Sequence, residues 1–311
     1  MVEAAGRIRG RVRRTPVHRV EAGDDWLPGG WLKLEQLQHT GTFKARGAFN
    51  RILSAREHGR LDASVGIVVA SGGNAGLANA YAAAALGVPA TVFVPTTSLP
   101  TKLHRLEQYG ATVVARGTEY AEAFDAATEH VARTGALYCH AYDQPEIVAG
   151  AGTLALELLE QVDGQVDTVV VAVGGGGLLA GVATAVEGAA RVVGVEPVLA
   201  PTLDRALAAG EPVDVPVAGI AADSLGARRL GSIAWEVVQR TGVRSVLVDD
   251  TDIQAARHGL WERYRLVVEP GAAAALAALT SGGYRPEPDE RVAVVLCGAN
   301  TDPADVAATP R

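Results

Sequence analysis

From residue 65 onward, short apolar runs alternate with segments of helical period, and no other feature restricts the fold so strongly. Residues 65–70 read as a strand, 74–86 as a helix stopped by Gly87, and 90–94 as the next strand. The same pattern gives helix 102–109, strand 111–115, helix 120–133, strand 137–140 and a long helix over 145–162. Strand 168–173, a glycine loop, helix 178–187 and strand 191–195 follow, and strand 245–248, helices 252–264 and 272–279 and strand 291–296 come last. Between 202 and 230 the chain is punctuated by Gly and Pro and carries no clear period. Repeated strand–helix–strand succession implies an α/β fold whose mostly parallel sheets are covered by helices on both faces.

A chain of 311 residues exceeds the usual size of one domain, so a large domain with a smaller lobe, or two domains, is expected. Apolar residues make up 48% and aromatic residues 5%, a composition suited to close helix-on-sheet packing. The net charge of −7 is spread along the chain. The one basic run, Arg7, Arg9, Arg11, Arg13 and Arg14, reads as a solvated face, so no nucleic-acid partner is expected. The N-terminus lacks an apolar core segment and Cys139 and Cys297 are the only cysteines, which points to a cytoplasmic, reduced protein. The longest apolar stretches, 169–173 and 272–279, are too short to span a bilayer, and no membrane association is expected.

Four segments carry groups with chemical potential. Gly174-Gly175-Gly176-Gly177 follows a strand and opens a helix at Leu178, gathering backbone N–H groups and a helix dipole as an anion requires. The spacing is neither a dinucleotide fingerprint nor a Walker loop, so the choice is between a phosphate cradle and a structural tight turn. Lys44 follows small polar residues and Gly41 and adjoins Phe43; a desolvated ammonium there can serve as an amine nucleophile, whereas most lysines are solvated surface charges. The turn Ser71-Gly72-Gly73-Asn74-Ala75 joins a strand to a helix and offers hydroxyl, amide and N–H groups to a carboxylate, unless Ser71 or Asn74 is simply a helix cap. Cys297, in Cys297-Gly298-Ala299-Asn300 at a strand end, could equally be a small buried hydrophobe.

Together these segments resemble the fold-type II pyridoxal-phosphate enzymes, and among them the serine/threonine dehydratase and serine racemase group. The likeness runs from Arg14-Thr15-Pro16 to the cysteine loop, through Lys33-Leu34-Glu35, Ala149-Gly150-Ala151-Gly152-Thr153 and Val267-Val268-Glu269-Pro270. It implies a tryptophan synthase β-like fold of two αβα domains with mostly parallel twisted sheets. Residues 1–57 and 144–311 would form a large cofactor-binding domain, and 58–143 a small mobile one. It implies pyridoxal 5'-phosphate as cofactor, with Lys44 as covalent anchor and catalytic base. Gly174, Gly175, Gly176, Gly177 and Leu178 would hold the phosphate, Asn74 the 3-hydroxyl and Cys297 the pyridine nitrogen, with Phe43 flanking the ring and Glu269 beside it. Ser71, Gly72, Gly73, Asn74 and Ala75 would bind the substrate carboxylate. Ser224 resembles a substrate-contact serine, with a loop cap as its alternative. His140 and Arg46 read as structural.

The implied activity is β-elimination from a hydroxy amino acid such as L-threonine or L-serine, giving a 2-oxo acid and ammonia. β-Replacement, racemisation and a non-catalytic amino-acid sensor are the alternatives. Racemases of the group carry a serine where this chain has Gly72, so racemisation should be poor; a left-handed backbone at Gly72 would make a serine there costly. Ala75 together with Cys297 is closer to the animal-type serine dehydratases. The group's divalent-metal set is incomplete, because Thr202 stands where an aspartate would join Glu196 and Ala200; a monovalent cation stays compatible. The expected partners are a small amino-acid substrate and a second copy of the chain in a homodimer. The chain stops soon after the cysteine loop, so feedback through a C-terminal regulatory domain is not expected.

Overall fold

The computed structural model describes residues 1–21, 26, 27 and 29–307. The first strands are β1 (Val17–Val20), β2 (Gly30–Lys33), β3 (Ile67–Ala70), β4 (Ala90–Val94) and β5 (Thr112–Ala115). The rest are β6 (Leu137–Tyr138), β7 (Thr168–Ala172), β8 (Arg191–Pro197), β9 (Arg244–Val248) and β10 (Val292–Val295). The chain divides into two compact units, Met1–Arg13 with Lys44–Ala151, and Arg14–Phe43 with Gly152–Arg311.

The first unit holds a four-stranded, fully parallel sheet in the order β5-β4-β3-β6. β3 shows why these residues form a central strand. Ile67 and Val69 enter one apolar cluster with Leu77 and Ala78, while Val68 and Ala70 enter another with Ala123 and Ala127. Helices Asn74–Ala85 and Tyr120–Thr134 thus cover opposite faces, and their alanines let them lie close to the sheet. Helix Lys44–Glu57 belongs here too, contrary to the expected boundary at residue 57. Its Ala48, Phe49, Ile52 and Ala55 share the cluster of Ile67 and Leu77. Residues 144–151 follow for a similar reason: a Cβ on Gly150 would stand 2.6 Å from the Arg46 carbonyl oxygen.

The second unit holds six strands in the order β1-β2-β10-β7-β8-β9, parallel except for the antiparallel pair β1–β2 at one edge. β7 is buried throughout, and helices Gly177–Ala185 and Pro270–Thr280 bury nearly all their small and aliphatic residues. Two of the family-like stretches meet in one buried network here. Lys33 Nζ, fully buried, donates to Glu157 Oε1 at 2.5 Å, to Gln161 Oε1 at 2.8 Å and to the Thr15 carbonyl at 2.9 Å. The Thr15 hydroxyl donates to Glu35. A buried ammonium persists only with such partners.

Each sheet reverses its strand order once. In the first unit β3, β4 and β5 run outward and β6 lies on the other side of β3; in the second β7, β8 and β9 run outward and β10 lies on the other side of β7. Open parallel sheets bind ligands at the strand carboxyl ends beside such reversals. The elements expected from residue 65 to 195 are present, with β6 reduced to two residues. β1, β2, helix Lys44–Glu57 and helix Ser232–Thr241 had no counterpart in the sequence reading. Among the described residues no helix is long and apolar enough to cross a membrane, and no group of three His, Cys, Asp or Glu could hold a metal.

Candidate active site

In the first unit the reversal lies between β3 and β6. β3 is followed by Ser71, and its neighbour β6 by the 139–143 loop, where the Cys139 N–H donates to the Val68 carbonyl at 2.8 Å. Lys44 opens its helix half-buried, and Nζ donates to the Ala141 carbonyl in that loop at 3.2 Å. His140 braces the loop. Its Nδ1 accepts from the N–H groups of Tyr142 at 3.1 Å and Asp143 at 2.8 Å. Burial lowers the His140 pKa, with Lys44 adding to the shift and Asp143 opposing it, so the ring is a neutral acceptor. The expected structural role of His140 is therefore specific: it shapes the loop that receives Lys44. Arg46 is buried and donates to the Arg13 carbonyl at 3.3 Å.

The Ser71–Ala75 turn runs from β3 into helix Asn74–Ala85. Asn74 is the first helical residue rather than its cap; the cap is Gly73, and no side chain bonds to the helix end from that position. Ser71 Oγ accepts from the Gly73 N–H at 3.3 Å. The plain capping alternative for Asn74 is thereby set aside, and the turn keeps an N-terminal dipole suited to a carboxylate. Gly72 is absent from the left-handed glycines, and the nearest atoms to a Cβ there would be Val94 Cγ1 at 3.3 Å, Ser98 Oγ at 3.8 Å and Val94 Cβ at 3.9 Å. The left-handed backbone that would have made a serine costly at Gly72 is therefore not present.

In the second unit the reversal lies between β7 and β10. The glycine loop follows β7 and leads into helix Gly177–Ala185, capped by Gly176 without a side-chain bond. Gly176 has φ +85°, and a Cβ there would stand 2.5 Å from Ala234 Cβ. The Gly175 carbonyl accepts from the Gly231 N–H at 3.0 Å, and the Gly174 carbonyl from the Thr202 hydroxyl at 2.5 Å. Leu178 is buried as the helix begins. Next to the loop, a Cβ on Gly174 would meet Leu225 Cα at 3.0 Å, and one on Gly271 would meet Ser224 Oγ at 2.2 Å. Ser224 therefore packs on the start of helix Pro270–Thr280, next in chain to Glu269, and its hydroxyl donates to the Ala221 carbonyl at 3.5 Å.

β10 ends in Cys297, whose carbonyl accepts from the Phe43 N–H at 3.0 Å. Glu269 is buried against Gly298 and accepts from the Asn300 N–H at 3.2 Å. A sequence of contacts thus joins the glycine loop, Ser224, Glu269, Cys297 and Phe43 within one unit. Thr42, fully buried, carries a hydroxyl with no hydrogen-bond partner, although it is only two residues from Lys44. Within the second unit, an orphan hydroxyl and a helix N-terminus without a side-chain cap are features that a phosphorylated, polar ligand would satisfy. Sequence reasoning passed over Thr42, the Ala141 carbonyl and Asn300; a backbone acceptor leaves no residue-type signal. Glu196, the remaining partner near the loop, accepts from Thr202, Leu203 and Asp204, yet burial pushes its pKa up to about 7.

A family model described as "Pyridoxal-phosphate dependent enzyme" matches residues 8–298. A phenylserine dehydratase of Ralstonia pickettii is 39% identical over 97% of this chain and 92% of its own. An L-threonine ammonia-lyase of Geobacter sulfurreducens is 37% identical over 96% of this chain and 74% of its own. Maize serine racemase superposes with a TM-score of 0.91 at 31% identity, covering 98% of this chain and 94% of that one. Motifs at both sheet reversals and a family pattern spanning nearly the whole chain lead to one conclusion: the protein belongs to the pyridoxal-phosphate dependent enzymes.

Proposed function

We propose that the protein eliminates water from a small β-hydroxy amino acid, such as L-threonine or L-serine, and releases a 2-oxo acid and ammonia. The observation that supports this most is the pairing of each sheet reversal with one half of the motif set: Lys44 and the Ser71–Ala75 turn in one unit, the glycine loop and Cys297 in the other. Pyridoxal phosphate, when bound, supplies the electron sink that makes an α-proton removable. Lys44 anchors it and, once freed, accepts that proton at Nζ. Gly174 to Gly177 and Leu178 would hold the phosphate, Asn74 the 3-hydroxyl and Phe43 the ring, with Glu269 beside it. Cys297 would face the pyridine nitrogen. Ser71, Gly72, Gly73, Asn74 and Ala75 orient the substrate carboxylate, and Ser224 contacts the substrate.

The test is release of ammonia and 2-oxo acid across a panel of β-hydroxy amino acids of both configurations. No ammonia from any of them would return the protein to a sensor role, and capture of an added thiol would make it a β-replacement enzyme. Gly72 decides the racemase alternative. With no acid opposite Lys44, the wild type should eliminate from one configuration with little D-serine formed from L-serine. Gly72→Ser needs Val94 to yield by only a few tenths of an ångström and should make D-serine detectable by chiral chromatography. Wild-type racemisation as fast as elimination would mean another residue supplies the acid.

A monovalent cation fits the proposal, and Glu196, the Ala200 carbonyl and Thr202 are the groups that would hold it. Activity in potassium against tetramethylammonium buffers tests it. A homodimer and a cytoplasmic setting complete the proposal, in keeping with Cys139 and Cys297 forming no disulfide.

A further inference from the structure

The turn leading into Lys44 is held in an unfavourable conformation. Thr40 has φ 61° and ψ 12°, and it is the one β-branched residue with positive φ among the described residues. The other two non-glycine cases are milder: Arg265 is a helix C-cap and Asp163 lies in the turn after helix Pro145–Gln161, sites where the left-handed region is common. A β-branched residue pays for that region, and such strain persists only where the surroundings impose it. Thr40 does not compensate through its own side chain, because its hydroxyl is buried without a partner. The restraint comes from 260 positions away in sequence: Asn300 Nδ2 donates to the Thr40 carbonyl at 2.9 Å.

Asn300 is well placed for this. Its backbone N–H is tied to Glu269 at 3.2 Å, and its Oδ1 lies 3.3 Å from where a Cβ on the left-handed Gly41 would stand. Beyond the turn, Ala299 N–H donates to the Gly41 carbonyl at 2.9 Å, Thr42 bridges Gly298, and Phe43 N–H donates to the Cys297 carbonyl at 3.0 Å. We propose that Asn300 is a positioning residue for Lys44: by holding Thr40 left-handed it fixes the backbone from which Phe43 and Lys44 extend. Neither Asn300 nor Thr40 has a part in the reaction as described above. The role is indirect, and removing the strain should make the restraint dispensable.

The experiment compares wild type, Asn300→Ala, Thr40→Gly and the double variant, by kcat and KM on the best substrate of the panel and by amide hydrogen exchange of the 40–43 segment without cofactor. Asn300→Ala should lower kcat roughly 10- to 100-fold with little change in KM, as expected when a reacting group is misplaced, and should speed exchange in the segment. Thr40→Gly, for which the left-handed region carries no penalty, should restore both readouts in the double variant to within about threefold of Thr40→Gly alone. Wild-type kcat and exchange in Asn300→Ala would overturn the proposal, since the strap to 297–299 would then suffice. So would a double variant as impaired as Asn300→Ala, which would give Asn300 a direct role instead. Should Asn300→Ala fail to fold, Asn300→Asp keeps the shape without the donor and is read the same way. If the wild type turns over no substrate, the exchange arm still decides the matter.

Discussion

Lys44→Ala should yield a folded protein that retains no pyridoxal-phosphate absorbance after borohydride reduction and denaturation, with turnover reduced by on the order of 10³-fold or more. The variant loses both roles proposed for Lys44, covalent anchor and proton acceptor. Folding should survive because Lys44 is only half-buried at the start of its helix and alanine is the strongest helix former. The Ala141 carbonyl loses the Nζ donor, but water can reach a half-exposed position. Ammonia release, melting temperature and the reduced, denatured spectrum are the three measurements. A variant that keeps turnover and borohydride-fixed absorbance would remove Lys44 from the centre of the chemistry.

Gly176→Ala is expected to be the most damaging small substitution in the glycine loop. The new Cβ would sit 2.5 Å from Ala234 Cβ and 2.7 Å from Leu230 Cδ1, at φ +85°. Both neighbours are buried at 2% exposure, so neither can swing away. Left-handed backbone costs alanine about 1–2 kcal/mol and overpacking about 1–3 kcal/mol more. Gly188→Ala is the matched control: φ is +80°, but nothing lies within 4 Å of the Cβ position. It bears the conformational cost alone. Melting temperature and cofactor affinity should both fall further for Gly176→Ala, with affinity at least about tenfold weaker because the loop cannot keep its curvature. Equal losses in the two variants would show that the packing behind the loop is irrelevant to it.

The parts of the fold readable in sequence were those with local signatures. β3 alternates between two clusters, and helix Asn74–Ala85 stops before Gly87, so period and stop signal coincide. β2 was missed because its stability comes from a distant partner: Trp31, Leu32 and Lys33 pair with Ala293, Val294 and Val295, and nothing within 30–33 records that. Helix Lys44–Glu57 carries no clean amphipathic period, because Arg46 and Asn50 are buried on it along with Phe49 and Ile52. The division into compact units differs from the boundary expected at 57 because Phe49 and Ile52 share an apolar cluster with Ile67 and Leu77, a contact between segments that neither one encodes alone. At the candidate site, side chains within the strand-to-helix turns were legible because glycine, serine and asparagine mark such turns. The Ala141 acceptor and the Asn300–Thr40 bond depend on tertiary register, which no local pattern encodes.

The place of β10 in its sheet bears on how the protein is made. It lies between β2 and β7, so it alone connects the early hairpin of the second unit with the later βα repeats. On the ribosome, Trp31 must wait for Ala293 before its pairing partner exists, whereas the β3–β6 sheet can close once residue 138 has emerged. The first unit can therefore mature during synthesis while the hairpin stays unpaired on one edge, a condition that favours chaperone capture or self-association. Nonsense or frameshift lesions close to the 3' end of the coding sequence should consequently produce aggregated protein rather than a slightly shortened enzyme.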